Sequence, residues 1–155
     1  MQISARVDYG VRALLVLTDQ HHADEKSVLK IESIATMQDI PLKFLESILI
    51  ALKHADIVTS VRGKEGGYRL AQTPDAVSIA DVMRALEGPL AAVRSERPES
   101  TEYDGVAEHL KEVWVATRAA LRSVLEAISL EDVYRGELPK HVTKLLSDKD
   151  AWVRR

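Results

Sequence analysis

Ile40-Pro41-Leu42-Lys43-Phe44-Leu45-Glu46-Ser47-Ile48-Leu49-Ile50-Ala51-Leu52-Lys53-His54 runs into Ala55-Asp56-Ile57-Val58-Thr59-Ser60-Val61. Arg62-Gly63-Lys64-Glu65-Gly66-Gly67 and Tyr68-Arg69-Leu70 follow. The first part has helical spacing: Phe44, Leu45, Ile48, Leu49 and Leu52 make one apolar stripe. Lys43, Glu46, Ser47 and Ile50 then point the other way. Pro41 suits the first helical position, where a missing N–H leaves nothing unpaired. Spacing alone also fits an ordinary core helix whose polar face meets water.

The second part narrows the reading. Ile57, Val58, Thr59 and Val61 are β-branched and suit a strand. Glycines at 63, 66 and 67 permit a tight reversal. Arg62, Lys64 and Arg69 lie in or beside that turn, where a cation can enter a narrow groove or meet phosphates. A surface hairpin with solvated charges is the plain alternative. The glycine spacing is not that of a nucleotide-binding P-loop, and no helix follows at once. A helix sized for a major groove beside a ribbon sized for a minor groove describes a winged-helix DNA reader.

Composition sets bounds. A chain of 155 residues suits one domain with an appendage. No apolar run reaches membrane-spanning length and no signal-peptide pattern is present, so a cytoplasmic protein without membrane contact is expected. The net charge of -3 is not that of a strongly basic DNA binder. Within residues 40–70 the balance reverses: Lys43, Lys53, Arg62, Lys64 and Arg69 face Glu46, Asp56 and Glu65. DNA affinity follows the local field at the docking face more than total charge. The absence of cysteine excludes disulfides, thiol chemistry and cysteine-ligated clusters. No nucleophile–base signature, metal-ligand spacing or dinucleotide fingerprint is present, so neither an enzyme nor a cofactor is expected.

Along the chain, residues 3–20 form a first helix with Ile3, Val7, Val11, Leu14, Leu15 and Leu17 inward. Asp8 can pair with Arg12 at i, i+4. His21 and His22 fit a polar C-terminal cap better than a metal site, since no third ligand is evident. Ile31 to Met37 is a short second helix, and Gln38-Asp39 turns into the next, giving a helix-turn-helix. Ser78 caps a helix with Ile79, Val82, Met83 and Leu86 inward, and Gly88-Pro89 stops it. Residues 90–105 are polar and aperiodic, as in a mobile loop. Val106 to Ile128 keeps an apolar seam through Leu110, Val113, Trp114, Leu121 and Leu125. A helix of about 34 Å carrying such a seam exceeds what one small wing domain can cover. Its natural partner is the same helix of a second copy. Ser129 caps a last short turn closed by Gly136, one more helix spans Pro139 to Leu146, and Trp152 is either an anchor or a tail residue.

Several of these blocks occur together in one known family. Asp8-Tyr9-Gly10-Val11-Arg12-Ala13-Leu14, Ile34-Ala35, the stretch from Ile40 to Leu52, Val61-Arg62-Gly63 and Gly66-Gly67-Tyr68-Arg69-Leu70 carry the resemblance. Ile79-Ala80-Asp81-Val82 and Leu86-Glu87-Gly88-Pro89 complete it. The sequence resembles the winged-helix repressor family that includes the iron–sulfur regulator IscR, the nitric-oxide sensor NsrR and the cysteine-metabolism repressor CymR. The match is good over about residues 1–90 and weaker beyond.

The resemblance implies three units: a winged helix-turn-helix domain at 1–89, a loop at 90–105, and a dimerisation helix with a helical tail at 106–155. The fold is then mainly α with a small β-hairpin. The implied function is transcriptional repression by a homodimer on near-palindromic double-stranded DNA. By position in the motif, Lys43, Glu46 and Ser47 are the base-edge candidates. Arg62 would enter the minor groove, with Gly63 shaping the tip, and Lys64 and the backbone of Gly66 and Gly67 would meet phosphates. The family usually has Ser, Glu and Gln at the three helix positions, so Lys43 and Ser47 depart from it and relatives' operators do not transfer. Cluster-binding relatives carry three cysteines in the region of 90–105, and an acid at the position of Asp8 is a ligand in some. Here the loop has none, and Lys111 stands three residues before Trp114, where those relatives have a histidine; His109 is out of register. A member without a cluster is implied, with a small-molecule or protein effector as the alternative signal.

Overall fold

Leu45, Ile48, Leu49 and Leu52 are completely buried, and the rest of the fold is built around that stripe. The computed structural model describes residues 2–153. The first helix, α1 (Ala5–Ala23), starts at Ser4, whose Oγ accepts from the Val7 N–H at 3.2 Å. Val7, Ala13, Leu14 and Leu17 face the core. Ile3 precedes the helix and is 61% exposed, so it is not part of the inner face as its spacing predicts. Gly10 lets Leu86 come close: a Cβ there would lie 2.5 Å from Leu86 Cδ1.

Helix α2 (Ile31–Gln38) ends at Asp39, a non-glycine residue in the left-handed region with φ 50°. Ile40 N–H then donates to the Ala35 carbonyl at 2.9 Å, which turns the chain sharply into α3 (Leu42–His54). Pro41 caps α3 rather than opening its first turn, and its carbonyl accepts from Phe44 and Leu45. Phe44 is 38% exposed and lies at the edge of the stripe, not within it. Asp56, with φ 54°, ends α3 in the same left-handed way and leads into the hairpin.

Strands β1 (Val58–Val61) and β2 (Gly67–Leu70) pair antiparallel, with Val58 opposite Leu70 and Val61 opposite Gly67. Val58 and Leu70 bury their side chains and anchor the hairpin to the core. After a 3-10 turn at Pro74–Ala76, α4 (Ile79–Glu87) opens with a reciprocal capping box between Ser78 and Asp81. Gly88, at φ 84°, ends it.

Residues 90–105 contain no α-helix or extended strand, but a tight turn closed by an antiparallel bridge between Val93 and Glu96, a 3-10 turn at Pro98–Ser100 and the start of another at Gly105–Ala107. Helix α5 (Leu110–Leu125) has 16 residues, which gives a length of about 24 Å. It is shorter than the seam from 106 to 128 implies. Val106 sits in the 3-10 turn, while Glu126 and Ala127 form a bend that leads to the buried Ile128. None of the 16 residues of α5 is buried.

Helix α6 (Leu130–Arg135) returns to the winged unit. Ser129 and Asp132 form a second capping box, Gly136 closes the helix at φ 70°, and Leu130 is wholly buried in the same core as α1 and α3. Backbone bonds Leu130 N–H to Val77 O at 3.0 Å and Ile79 N–H to Ile128 O at 2.9 Å hold it there. His22 at the end of α1 bonds Glu131 at 2.8 Å and stacks on Tyr134. Helix α7 (Lys140–Leu146) and a final 3-10 turn follow, and Trp152 is 74% exposed with its indole N–H on the Leu146 carbonyl. Among the described residues no helix is long and apolar enough to cross a membrane.

Candidate nucleic-acid interface

The outward side of α3 is a mixed stripe. Lys43 and Glu46 are exposed one turn apart, and Ser47 beside them is half-buried. Ser47 Oγ donates to the Phe44 carbonyl at 2.8 Å, so its hydrogen is engaged within the helix and its lone pairs face out as acceptors. Ile50 lies on the same side one turn later and is 54% exposed. At 100° per residue it falls between Lys43 and Glu46 in projection, opposite the buried stripe. An apolar residue in that position leaves more than half of its surface to solvent.

The wing has two kinds of glycine. Gly63 adopts φ 107°, which a side chain disfavours, and has open space around it. Gly66 and Gly67 are constrained by contact. A Cβ on Gly66 would lie 2.2 Å from the Val61 carbonyl oxygen, and one on Gly67 would lie 2.3 Å from that of Leu29. The second contact arises because Leu29 and Tyr68 exchange backbone bonds at 2.9 and 2.8 Å, which fixes the hairpin to the segment before α2.

Arg62 and Lys64 are exposed at the tip. Together with Lys30 and Glu32 at the start of α2, they line a cleft of about 390 Å³ beside the wing. Lys30 was not a candidate from sequence. Only the Leu29–Tyr68 pairing, which spans 39 residues, brings it to this site. Arg69 goes the other way: it lies across from Thr59, and its Nη1 donates to the Lys26 carbonyl at 3.2 Å. Lys53, near the end of α3, donates to Ser60 Oγ of β1 at 2.6 Å and so links the helix to the wing.

Helix α1 sets the helix-turn-helix from behind. Arg12 donates from Nε to Gln38 Oε1 at 3.3 Å and from Nη2 to the Gln38 backbone carbonyl, at the C-terminus of α2. Asp8 steadies the same guanidinium at 3.3 Å, and Tyr9 lies beneath it with the ring centroid 5.3 Å away. The Tyr9 ring then meets Phe44 of α3 edge to face at 5.7 Å. Asp8, Tyr9 and Arg12 thus position α2 and α3 against each other.

The profile of the Rrf2 family, described as "Iron-dependent Transcriptional regulator", matches residues 3–136. The chain belongs to the Rrf2 family. As a member it is a DNA-binding transcriptional regulator with a winged-helix fold. Over 148 residues, 96% of the chain and 90% of its relative, it is 44% identical to a protein of Mycobacterium tuberculosis H37Rv described as an HTH-type transcriptional regulator. The solved structure of CymR, the global cysteine regulator of B. subtilis, is similar at a TM-score of 0.71 and 32% identity, covering 87% of this chain and 97% of that one. IscR of T. potens is similar at a TM-score of 0.68 and 31% identity, covering 88% of each.

The family description raises iron, and the residues of this Rrf2 chain do not fit a cysteine-held cluster. There is no cysteine. Asp8 is engaged by Arg12, and His109 is exposed beside Glu112 at 3.8 Å. Among the described residues no three His, Cys, Asp or Glu side chains converge so as to hold a metal ion.

Proposed function

We propose that this Rrf2 chain is a repressor that binds a near-palindromic operator as a homodimer, without an iron–sulfur cluster. The observation that carries the reading is the pair of presented surfaces: an outward stripe on α3 and a glycine-built wing tip bearing Arg62 and Lys64. Lys43, Glu46 and Ser47 read base edges: Lys on guanine or phosphate, Glu on the cytosine amino group, and Ser, whose hydrogen is held by the Phe44 carbonyl, as an acceptor for a base amino group. Ile50 extends that readout to a thymine methyl, the one apolar feature of the major-groove floor. Arg62 enters the minor groove. Gly63 shapes the tip, and Lys64 with the Gly66 and Gly67 backbone meets phosphates, joined by Lys30 across the cleft.

Dimerisation is supported by α5. Val113 is 52% exposed, and Leu110, Trp114, Leu121 and Val124 are only half-buried within one chain. A second α5 related by a two-fold axis would cover that seam. The dimer would then place two α3 helices about 34 Å apart in successive major grooves.

Selection of bound duplexes from a random pool at fixed salt, with sedimentation of the free protein, tests these points together. The expected result is a dimer and a two-fold-symmetric consensus with half-sites one helical turn, or a multiple of it, apart. A monomer without sequence preference at low ionic strength overturns the reading.

A further inference from the structure

Outside the DNA-facing surfaces, one cleft draws side chains from three separate elements. It lies between the end of α4, the segment 90–100 and α5, with a volume of about 470 Å³. That size suits a small molecule. Arg84 comes from α4, Arg97 from the loop, and Arg118 and Arg122 from α5. The lining also includes Leu90 and Pro98, both buried, so it has an apolar part as well as a cationic one.

The guanidiniums outnumber their internal counter-ions. Arg118 pairs with Glu99 through Nη1, and Arg122 pairs with Glu126 through Nε at 2.9 Å. Arg84 is shared between Glu126 and Asp81, the latter at 3.3 Å. Four cations therefore meet three carboxylates. The Arg97 guanidinium makes no hydrogen bond or ion pair among the described residues. Each guanidinium has five N–H donors, and these pairings use one on Arg118, one on Arg122 and none on Arg97. Fork-shaped donors still open, beside an apolar wall, match planar carboxylates and phosphates better than any neutral ligand.

We propose that this cleft is an effector site for a small organic anion carrying at least two negative charges, a polycarboxylate or a phosphate ester. The carbon skeleton rests on Leu90 and Pro98, and the anionic groups take the open donors of Arg97, Arg118 and Arg122. Glu99 and Glu126 are held below the ordinary glutamate range, Glu99 by the hydrogen bond from Arg118 and Glu126 by that from Arg122. Both therefore stay ionised at neutral pH, and the incoming anion must share the arginines with them. That competition favours a multiply charged ligand over chloride. The Arg84–Glu126 pair also joins α4 to α5. An anion on both helices would set the angle at which α5 leaves the winged unit. The consequence for operator binding rests on the homodimer reading above; the binding site itself does not.

The test is a thermal-shift titration of the full chain with citrate, adenosine monophosphate and inorganic phosphate, each against sodium chloride at matched ionic strength. The expected result is a saturable rise in Tm for citrate or the nucleotide beyond that of chloride. The half-saturating concentration should be at least tenfold higher in Arg97→Gln. Because Arg97 makes no direct ion pair among the described residues and acts on Glu99 only as a neighbouring charge, that variant leaves the Arg118–Glu99 and Arg122–Glu126 pairs in place. A rise with inorganic phosphate alone, unchanged in Arg97→Gln, or no rise beyond ionic strength for any probe, overturns the site. Operator binding measured without added anion is scored separately, so a failure there counts against the DNA-binding reading alone. Where both succeed, the anion that raises Tm should change operator affinity, and operator DNA should change anion affinity by the same factor.

Discussion

Arg12 donates to both the side-chain and the backbone carbonyl of Gln38, the last residue of α2. A cation at a helix C-terminus satisfies a free carbonyl and complements the dipole, and this one also sets the entry into α3. Arg12→Ala should lower stability by about 1.5–3 kcal/mol, the usual scale for hydrogen bonds to a charged group. Operator affinity should fall further than stability accounts for, because α3 loses its alignment. Arg12→Lys should rescue only in part, since an ammonium cannot span both acceptors from one planar group. Chemical denaturation and operator titration of the three proteins check this. Equal behaviour of the lysine and alanine variants at the operator would leave the fork geometry without a role.

The wing cations separate two kinds of contact. Arg62→Ala should cost about 1–3 kcal/mol of operator binding and relax preference at the minor-groove positions. Lys64→Ala should weaken binding to all sequences alike and flatten the slope of log K against log salt by about one unit. Salt titrations on the selected operator and on a scrambled duplex tell the two apart.

Two glycines of one turn should respond differently to alanine. At Gly66 the added methyl meets the Val61 carbonyl oxygen at 2.2 Å, and backbone cannot yield as a side-chain end can. At Gly63 nothing is in the way and only the φ of 107° is disfavoured. Gly63→Ala should therefore cost about 1–2 kcal/mol of wing stability, and Gly66→Ala should cost more and rearrange the tip. Hydrogen exchange of the β1–β2 amides and operator affinity measure the difference. Equal losses would mean that the turn opens as readily at one site as at the other.

These features differ in how far the sequence discloses them. The α3 stripe, the hairpin, and the Ser78–Asp81 and Ser129–Asp132 boxes are local patterns within a few residues, and a linear reading finds them. Phe44 shows where periodicity fails: at the margin of the stripe, whether a ring is inside depends on the neighbouring helix, here Tyr9 of α1. Apolar spacing predicts a helix through Ile128, yet α5 ends earlier, because Glu126 and Ala127 bend and Ile128 is buried beyond them. Asp39 and Asp56 take left-handed turns without the glycine that would announce them. Lys30 at the wing, Arg12 on Gln38, Gly67 against Leu29 and His22 on Glu131 depend on pairings across the chain, up to 109 residues apart for the last. No local rule supplies those.

Acid should loosen the attachment of α5 and α6. Glu126 is held below the ordinary value near 4.5 by Arg122 and then Arg84, and Glu131 by Arg135 first, with His22 adding to it. A carboxylate whose folded value is depressed contributes stability that is complete above its unfolded value and lost as pH falls through the folded one. Stability should therefore hold at neutral pH and decline between about pH 5 and pH 2. Both groups are accessible to solvent, so the effect should shrink in high salt. Glu126→Gln should flatten the decline without altering stability below it. An acid titration by circular dichroism at two salt concentrations reads this, and a decline of equal steepness in the variant would assign the acid sensitivity elsewhere.

Ile50 gives the most specific test of the face that α3 presents. It is 54% exposed and projects with Lys43 and Glu46, yet it can neither donate nor accept a hydrogen bond. In a major groove the matching feature is the thymine 5-methyl group, which uracil lacks while keeping every hydrogen-bonding atom. The selected operator should contain a thymine whose replacement by uracil weakens the wild-type protein. Burial of one methyl is worth about 0.8 kcal/mol, or roughly a fourfold loss in affinity. Ile50→Ala should lose a comparable amount on the thymine operator and become indifferent to the uracil exchange. The coupling in that double-mutant cycle, not either single loss, isolates the contact. If uracil weakens the Ile50→Ala variant as much as the wild type at every thymine of the half-site, Ile50 faces something other than the base edges, and the orientation assigned to α3 has to be turned about its axis.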